Sequence, residues 1–218
     1  STFEQYEPVV QERVQAYEGG FKATLLDGTL QANGAIYYFD YTNKQLRSKT
    51  IDPVLGILDN LQNIPKSDVK GAELELTARP TDGLTIGVTY AYTDAKVKEY
   101  VGVNAGGQAA DFAGARIPYA PKHQVGTSVD YEFPLSASLD MKLGGSLTFR
   151  SDTVAVIGGT SLYEIDDYAL IDLRLGVRTS DGRWRAQIWG KNIGNSYYWD
   201  NVVAGYDTVA RYAGKPAT

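Results

Sequence analysis

The chain has 218 residues, of which 43% are apolar and 22% are charged, with a formal net charge of −5. This mildly acidic balance argues against a nucleic-acid-binding protein, which would carry a basic stripe. No stretch approaches the roughly 18 consecutive apolar residues of a membrane helix, so any contact with a membrane must come from strands.

Strict alternation of apolar and polar residues recurs along the chain and predicts a series of β-strands. In LTIGVTYAYTDA at 84–95, Leu84, Ile86 and Val88 fall on one face, and threonines and small residues fall on the other. A side-chain period of two is the mark of a strand with two different environments. The predicted strands cover 17–25, 29–41, 72–79, 84–95, 124–133, 139–150, 171–178 and 183–192, and a ninth begins at Tyr212.

Short and long connections alternate between these strands. Tight turns are predicted at 25–30, 79–84, 132–138 and 179–183, and three of them contain an Asp-Gly pair, a strong turn signal. Long polar loops are predicted at 43–66, 98–120, 152–167 and 195–211, with a short amphipathic turn at 54–61. In an antiparallel meander all short turns then share one edge and all long loops the other, as in outer-membrane barrels.

The two strand faces favour a transmembrane barrel over a soluble β-sandwich. Most predicted strands run to about ten residues, and a strand tilted across a bilayer needs about 9–11. Tyrosines cluster near strand ends, where aromatic girdles meet the membrane boundary. These clusters are Tyr37, Tyr38 and Tyr41; Tyr90 and Tyr92; and Tyr197 and Tyr198. We expect Ile86, Val88, Leu143, Leu147, Leu173 and Leu175 to face outward, and Glu73, Glu75, Asp130, Lys142, Arg174 and Arg178 to face inward.

Five segments, in order and spacing, resemble landmarks of the C-terminal barrel of TonB-dependent receptors. VQAYEGGFKATLLDGTL (14–30) is similar to the family's Y-E-x-G-x-K strand and the turn after it. GAELELTARPTDGLTIGVTYAYTDA (71–95) is similar to its G-x-E-x-E strand, P-x-D-G-L turn and Y-x-Y-T-D-A strand end. RIPYAPKHQ (116–124) resembles the family's R-x-P-x-x-P-x-H segment, which re-enters the barrel after a long loop. WGKNIGNSYY (189–198) resembles a segment near the end of the barrel, and RYAGKPAT (211–218) resembles the opening of its last strand. Asn195, Ser196 and Lys215 depart from the residues expected at those positions.

The resemblance implies an all-β fold, an antiparallel transmembrane β-barrel. The eight strands and the start of a ninth would belong to a larger barrel of about twenty-two strands. Residues 1–218 would be the C-terminal part of that barrel, with the N-terminal plug domain and the final strand outside this chain. We therefore expect this chain not to close on itself, and its first and last strands to pair with strands outside it.

The implied function is active transport of a scarce nutrient across the outer membrane of a Gram-negative bacterium, energised through TonB. The nutrient would be a ferric siderophore, cobalamin, a saccharide or a similar solute. Expected partners are outer-membrane lipid, the rest of the barrel and its plug, TonB acting through that plug, and the small-molecule solute, but no nucleic acid. An alternative is a small eight-stranded outer-membrane barrel with a structural or adhesion role, and a third is a soluble β-sandwich binding module.

The sequence offers no enzyme constellation, so we predict no catalytic residue, no metal site and no cofactor. His123 is the only histidine, which argues against a metal site built from several histidines and against a Ser-His-Asp triad. Glu73 and Glu75 share one strand face with Arg79 and are interpreted as lumen charges rather than as an acid–base pair. The acidic loop residues are interpreted as solvated, with a Ca²⁺ site as the alternative. They are Asp152, Glu164, Asp166 and Asp167.

In the family that the chain resembles, ligand contact comes from the plug, the upper barrel wall and the extracellular loops. This implies a set of candidate ligand-binding residues in the predicted loops and upper strands. They are Tyr100, Phe112, Arg116, Tyr163, Trp199, Tyr206 and Arg211.

Overall fold

The computed structural model describes residues 8–52, 54, 56–104, 107–204 and 208–218. The frame consists of β1 (Arg13–Leu25), β2 (Leu30–Asp52), β3 (Gly56–Thr81), β4 (Leu84–Glu99), β7 (His123–Ser136), β8 (Leu139–Arg150), β11 (Tyr168–Thr179) and β12 (Arg185–Gly190). Shorter strands lie between them: β5 (Val101–Val103), β6 (Ala109–Asp111), β9 (Thr153–Val154), β10 (Glu164–Ile165), β13 (Trp199–Ala204) and β14 (Val209–Ala213). A 3₁₀ turn spans Ser161–Tyr163, and the described residues include no helix long and apolar enough to cross a membrane.

The eight frame strands form one antiparallel meander in chain order, from β1 at one edge to β12 at the other. Each strand pairs with the frame strand before it and the frame strand after it. The predicted all-β antiparallel architecture and the count of eight strands are therefore confirmed.

The register aligns apolar side chains on one face across the whole sheet. Leu143 lies opposite Tyr131 on one side and Leu175 on the other. Leu173 lies opposite Gly145 and Gly190. Because directly paired residues point to the same face, the predicted outward and inward sets are each confirmed as lying on one face.

The opposite face is polar and lines a cavity of about 730 Å³ that extends from β1 to β8. Its ion pairs connect different strands. Arg174 of β11 reaches across Gly144 of β8 and donates from Nε and Nη2 to the carboxylate of Asp130 on β7. Arg178 bridges Glu132 and Asp140 in the same way. A charged face of this kind is typical of the lumen side of an outer-membrane barrel.

The described residues include no second sheet that covers the apolar face. Leu173 is 51% exposed and Ile188 is 70% exposed. A β-sandwich would bury such side chains against a second layer, so the soluble interpretation is wrong. The two further sheets are the β9–β10 and β13–β14 hairpins, and both belong to the loops.

Aromatic rings mark both ends of the apolar face. Tyr17 and Tyr38 stack at the loop end, as do Tyr90 and His123 beside them. Tyr131 and Phe133 stack at the turn end, with ring centroids 4.8 Å apart. Tyr37, predicted with the girdle, lies instead on the polar face, because it pairs with Gly71 and its hydroxyl contacts Thr93.

The sheet does not close within the described residues. β1 pairs with β2, and β12 pairs with β11, but β1 and β12 do not pair with each other. The backbone of Thr218 exchanges two hydrogen bonds with Lys191, at 2.8 and 3.1 Å, so Thr218 lies beside the end of β12. The prediction that a ninth barrel strand begins at Tyr212 is wrong, because Tyr212 lies in the β13–β14 hairpin.

The predicted loop at 43–66 is wrong for the same kind of reason: most of it is strand. β2 and β3 run together without interruption from Leu30↔Ala78 to Asp52↔Gly56, and the short turn predicted at 54–61 is largely the start of β3. At about 3.3 Å per residue, the 23 residues of β2 greatly exceed a bilayer crossing. In a transmembrane barrel, a hairpin of this length would project beyond the bilayer.

Candidate ligand-binding surface at the loop end

Four segments gather at the edge of the sheet where the alternation with short turns predicted the long loops, although the first of them is an extended hairpin rather than a loop. They contain the tip of the β2–β3 hairpin, the β5–β6 hairpin, the β9–β10 pair and the β13–β14 hairpin. The tight turns lie at the opposite edge, where Gly28, Gly83 and Gly182 adopt positive φ angles of 88°, 75° and 72°. A binding surface built by loops must therefore lie at the first edge.

The loops enclose their own hydrophobic core, which we call the inner loop core. Its buried members are Ile64, Ala95, Val97, Tyr100, Phe112, Ile117 and Ile157. On β4, Ala95 and Val97 continue the inward-facing series of Ala91 and Thr93, since residues alternate along a strand. The inner loop core therefore lies on the polar side of the sheet.

A second loop core joins the β9–β10 pair to the β13–β14 hairpin. Tyr163, Ile165 and Val202 are its buried residues, and Trp199 packs against them. Val202 is 2% exposed. The two cores fix four loops that are distant in sequence, so the loop end has a defined shape rather than four independent loops.

A cavity of about 620 Å³, here called the loop cavity, lies between these cores. Its wall combines apolar residues such as Leu46 and Val156 with Arg47, Ser48 and Asp200. Tyr119 also lines the cavity. Its hydroxyl donates to the side-chain oxygen of Asn201 and contacts the carbonyl of Val202. An apolar cavity of this size with a few polar groups is typical of a small-molecule site.

Three of the predicted ligand residues lie inside the loop cores. Tyr100 is 7% exposed, stacks on Phe112, and its hydroxyl bonds Ser48 and Gln62. Burial raises the pKa of the Tyr100 phenol. Phe112 lies against Gly158, where an added Cβ would overlap the ring. With Tyr163 in the second core, these rings are placed to hold the loops, and direct contact with a ligand stays a prediction for them.

The other predicted residues lie nearer the surface. Arg116 is ion-paired with Asp152 at 2.7 Å and also bonds its backbone carbonyl. Arg211 lies over the Trp199 ring at 5.4 Å and donates to the carbonyl of Leu162. Tyr206 lies outside the described residues. Their ligand contacts remain predictions too.

Sequence reasoning missed the loop cavity and its polar residues, Tyr119, Asp200 and Asn201. A local signal was present, since Asp200 and Asn201 directly follow the aromatic run at 197–199, but nothing in it pairs that loop with Tyr119. Tyr119 adopts a positive φ of 56°, which is uncommon for a non-glycine residue. The bond across 82 positions in the chain depends on that conformation.

The described residues contain no group of three or more His, Cys, Asp or Glu side chains that could hold a metal ion. The alternative of a Ca²⁺ site is not supported, because the carboxylate of Asp152 forms an ion pair with Arg116. His123 lies on the outer face, with its Nδ1 at 3.0 Å from the Tyr90 hydroxyl. Glu75 accepts a hydrogen bond from Asn33 on the polar face, in keeping with a lumen charge.

Comparison with known proteins gives a consistent family match. The family model described as TonB dependent receptor-like, beta-barrel matches residues 5–193. A curated relative, the ferrioxamine B receptor of Salmonella typhimurium, is 22% identical over 160 residues. That match covers 73% of this chain but only 20% of the relative, so the chain spans about a fifth of its length.

Solved structures of similar fold include two receptors. The siderophore receptor PiuA from Acinetobacter baumannii aligns with a TM-score of 0.71 at 20% identity, covering 94% of this chain and 27% of that protein. The ferric yersiniabactin uptake receptor FyuA from Yersinia pestis aligns with a TM-score of 0.75 at 16% identity, covering 94% and 28%. At these identities the likeness shows the barrel fold.

Proposed function

The chain belongs to the TonB-dependent receptor family, and from this membership we propose that it supplies barrel wall and outer loops to a receptor that imports a scarce solute. The receptor lies in the outer membrane of a Gram-negative bacterium. Residues 1–218 act as the C-terminal part of its barrel. The plug domain and the final strand come from the rest of the receptor.

One observation carries this proposal: apolar and polar side chains are segregated to opposite faces over eight strands, and a loop core lies on the polar side. The apolar face suits lipid, and the charged face suits a wet lumen. A lumen capped by ordered loops can expose a binding surface outside and leave a path for the solute inside. A barrel with a purely structural role does not require a polar channel that is covered by ordered loops.

The solute we favour is a ferric siderophore. The chemical support is the loop cavity, where Tyr119, Asp200, Asn201 and Arg47 place hydrogen-bonding groups on an otherwise apolar wall. A metal chelate that presents carbonyl and hydroxyl oxygens around an organic frame needs this mixture. The similar proteins named above are receptors for ferrioxamine B and for other siderophores.

In the proposed cycle, the solute first binds at the loop end and then passes through the lumen. Energy comes from the proton-motive force through TonB, which acts on the plug. Within this chain, the polar face from Glu18 to Arg150 provides the wall along which the plug and the solute move. No covalent step is involved, so the chain needs neither a catalytic residue nor a resident cofactor.

The test is iron uptake by a receptor-deletion strain that carries the full receptor. A panel of radiolabelled ferric hydroxamates, catecholates and citrate identifies the solute, and collapse of the proton-motive force should abolish uptake while surface binding persists. Uptake of none of these chelates, together with normal surface expression, would contradict the siderophore proposal.

A matched pair of tryptophan variants locates the binding surface. Trp199→Ala removes a ring that supports the loop end, and we expect the Kd for the solute to rise about tenfold, in the range of an interface hot spot. Trp184→Ala removes a ring that is 77% exposed at the opposite edge, and it should leave Kd unchanged. Equal effects of the two variants would place the site elsewhere.

A further inference from the structure

β12 ends partway along β11, and a turn takes its place beside that strand. β12 stops at Gly190, whereas β11 extends to Tyr168 at the loop end. The turn at 191–196 follows β12, and the backbone N–H of Ile193 donates to the carbonyl of Ile171 at 2.9 Å. The upper part of β11 therefore has a turn as its neighbour on this side.

Asn192 lies at the centre of this turn and is only 4% exposed. Its backbone N–H donates to the carboxylate of Asp172 at 2.8 Å. Its side-chain amide donates to the carbonyls of Ser196 and Lys215, both at 3.0 Å, and its side-chain oxygen accepts from the N–H of Ser196 at 2.9 Å. A side-chain amide that both donates and accepts in this way takes the place of a backbone peptide group.

A second asparagine extends these contacts to residues 214–218. The side-chain oxygen of Asn195 accepts from the backbone N–H of Ala217 at 3.2 Å, while Asn192 reaches the carbonyl of Lys215. Two side chains therefore bind this segment at alternate residues, where a neighbouring strand would bind it with backbone groups.

The segment is also fixed at both of its ends. At one end, the N–H of Gly214 donates to the carbonyl of Tyr198 at 2.9 Å, and a Cβ added at Gly214 would overlap the Tyr198 ring. That ring stacks on Tyr168 of β11, with centroids 4.2 Å apart. At the other end, Lys191 and Thr218 exchange their two backbone hydrogen bonds.

The pairing of this segment with β12 has little other support. A tight turn or the hydrophobic pattern of a long ladder normally fixes the register between two strands. The described residues provide neither here, since the β13–β14 hairpin separates β12 from 214–218 in sequence and one residue pair joins them. The side-chain contacts must therefore supply the alignment.

We propose that the contacts of 191–198 with 214–218, here called the asparagine clasp, determine the register of this segment beside β12. Asn192 is the positioning residue. Register matters because a shift by one residue moves every following side chain to the other face of a sheet. The inference rests on the proposed barrel, in which the chain after Thr218 completes the wall beside β12. It goes beyond transport, because it names the residues that align the closing part of the wall.

The test maps the register with disulfides in the full receptor, after any cysteine outside this chain has been replaced by serine. Thr218→Cys is combined with either Lys191→Cys or Trp189→Cys. The Cα atoms of a hydrogen-bonded antiparallel pair lie about 5.5 Å apart, within the range of a disulfide. Position 189 is about 7 Å farther along the strand, which places it outside that range.

Only the 191–218 pair should therefore cross-link on oxidation of the otherwise wild-type receptor. Equal cross-linking of the 189–218 pair, or no cross-linking of the 191–218 pair, would overturn the proposal. This comparison leaves both clasp asparagines in place, so it does not depend on the folding of a clasp variant.

Asn192→Asp tests the positioning residue. The change removes the amide that donates to Lys215 and to one further carbonyl, so cross-linking of the 191–218 pair should fall by about tenfold. Asn195→Asp keeps the oxygen that accepts from Ala217 and should cross-link like the wild type. Wild-type cross-linking in the Asn192→Asp receptor would contradict the proposal.

A cysteine pair elsewhere in the wall provides the folding control. Ser128 and Ser146 are paired between β7 and β8, and Ser128→Cys with Ser146→Cys should cross-link equally with and without Asn192→Asp. A parallel loss in this pair would show general unfolding and would contradict a specific role in register. Correct cross-links without uptake of any chelate would contradict only the proposed function, and uptake with equal cross-linking of the 189–218 and 191–218 pairs would contradict only the clasp.

Discussion

The sheet and the loop end use apolar side chains in opposite ways. In the loop end, Ile64 and Val97 are fully buried, whereas on the outer face of the sheet Leu173 and Ile188 are 51% and 70% exposed. Soluble monomers rarely leave a contiguous apolar face open. The difference fits the proposed membrane location, in which water drives the loops into a packed core and lipid replaces that core along the strands.

Backbone hydrogen bonding also divides the two regions. In the sheet, nearly every residue of β2 pairs with β3, as a lipid environment requires. In the loops, single contacts such as Tyr119 to Asn201 connect distant segments. The sheet should therefore resist single side-chain deletions that the loop end cannot tolerate.

The largest effect is expected in the inner loop core. Phe112→Ala removes a ring that is 4% exposed and stacked on Tyr100, and it should destabilise the loop end by about 3–5 kcal/mol. Hydrogen exchange of the loops measures the loss, while strand amides serve as the internal control. Unchanged protection of the loop amides from hydrogen exchange would contradict the difference drawn between the loop end and the sheet.

Charge insertion on the outer face should have the next largest effect. Leu173→Arg places a cation opposite two glycines in the apolar band and should cost about 2–4 kcal/mol if the site lies near the bilayer midplane. Ser146→Arg, on the polar face between Ser128 and Asp172, should cost far less. Urea titration of the receptor in lipid vesicles compares them, and equal costs would refute the assignment of faces.

A smaller effect is expected in the short turns, where two glycines with positive φ can be compared. Gly182→Ala meets only the strain of a positive φ, about 1–2 kcal/mol, because an added Cβ has no atom within 4 Å. Gly83→Ala meets the same strain, and its Cβ would also overlap the carbonyl oxygen of Glu132. The Gly83 variant should therefore lose more stability in the same urea titration. The reverse order would show that the β3–β4 turn packs differently.

The smallest effect is expected for a lumen ion pair. Arg174→Gln removes the contacts between Arg174 and Asp130, whose side chains are each 34% exposed. Partly exposed pairs contribute about 0–1 kcal/mol, so the variant should unfold within that range of the wild type. A loss several times larger would mean that the polar face is dry, and would contradict a water-filled lumen.

The sequence predicted the sheet well because each strand carries its own two-faced pattern, as in 84–95. The prediction failed at 43–66 because β2 and β3 lose the alternating pattern in their loop-end halves. Backbone pairing holds the two strands together there. Asn43 adopts a positive φ of 56° within β2, a conformation that alternation does not reveal. The inner loop core was also missed, because Ile64, Phe112 and Ile157 meet only in three dimensions. For the same reason, the sequence did not reveal that Tyr100, Phe112 and Tyr163 are buried; their contact with ligand stays a prediction.

The central claim is that lipid covers the apolar face and water the polar face of each strand. The chain has no cysteine, so single cysteines can be introduced from 170 to 176 on β11 and labelled with a nitroxide in vesicles. Labels at 171, 173 and 175 should be accessible to oxygen dissolved in lipid, and those at 170, 172, 174 and 176 to a water-soluble nickel chelate. Oxygen and nickel accessibility that do not alternate along β11 would contradict the claim.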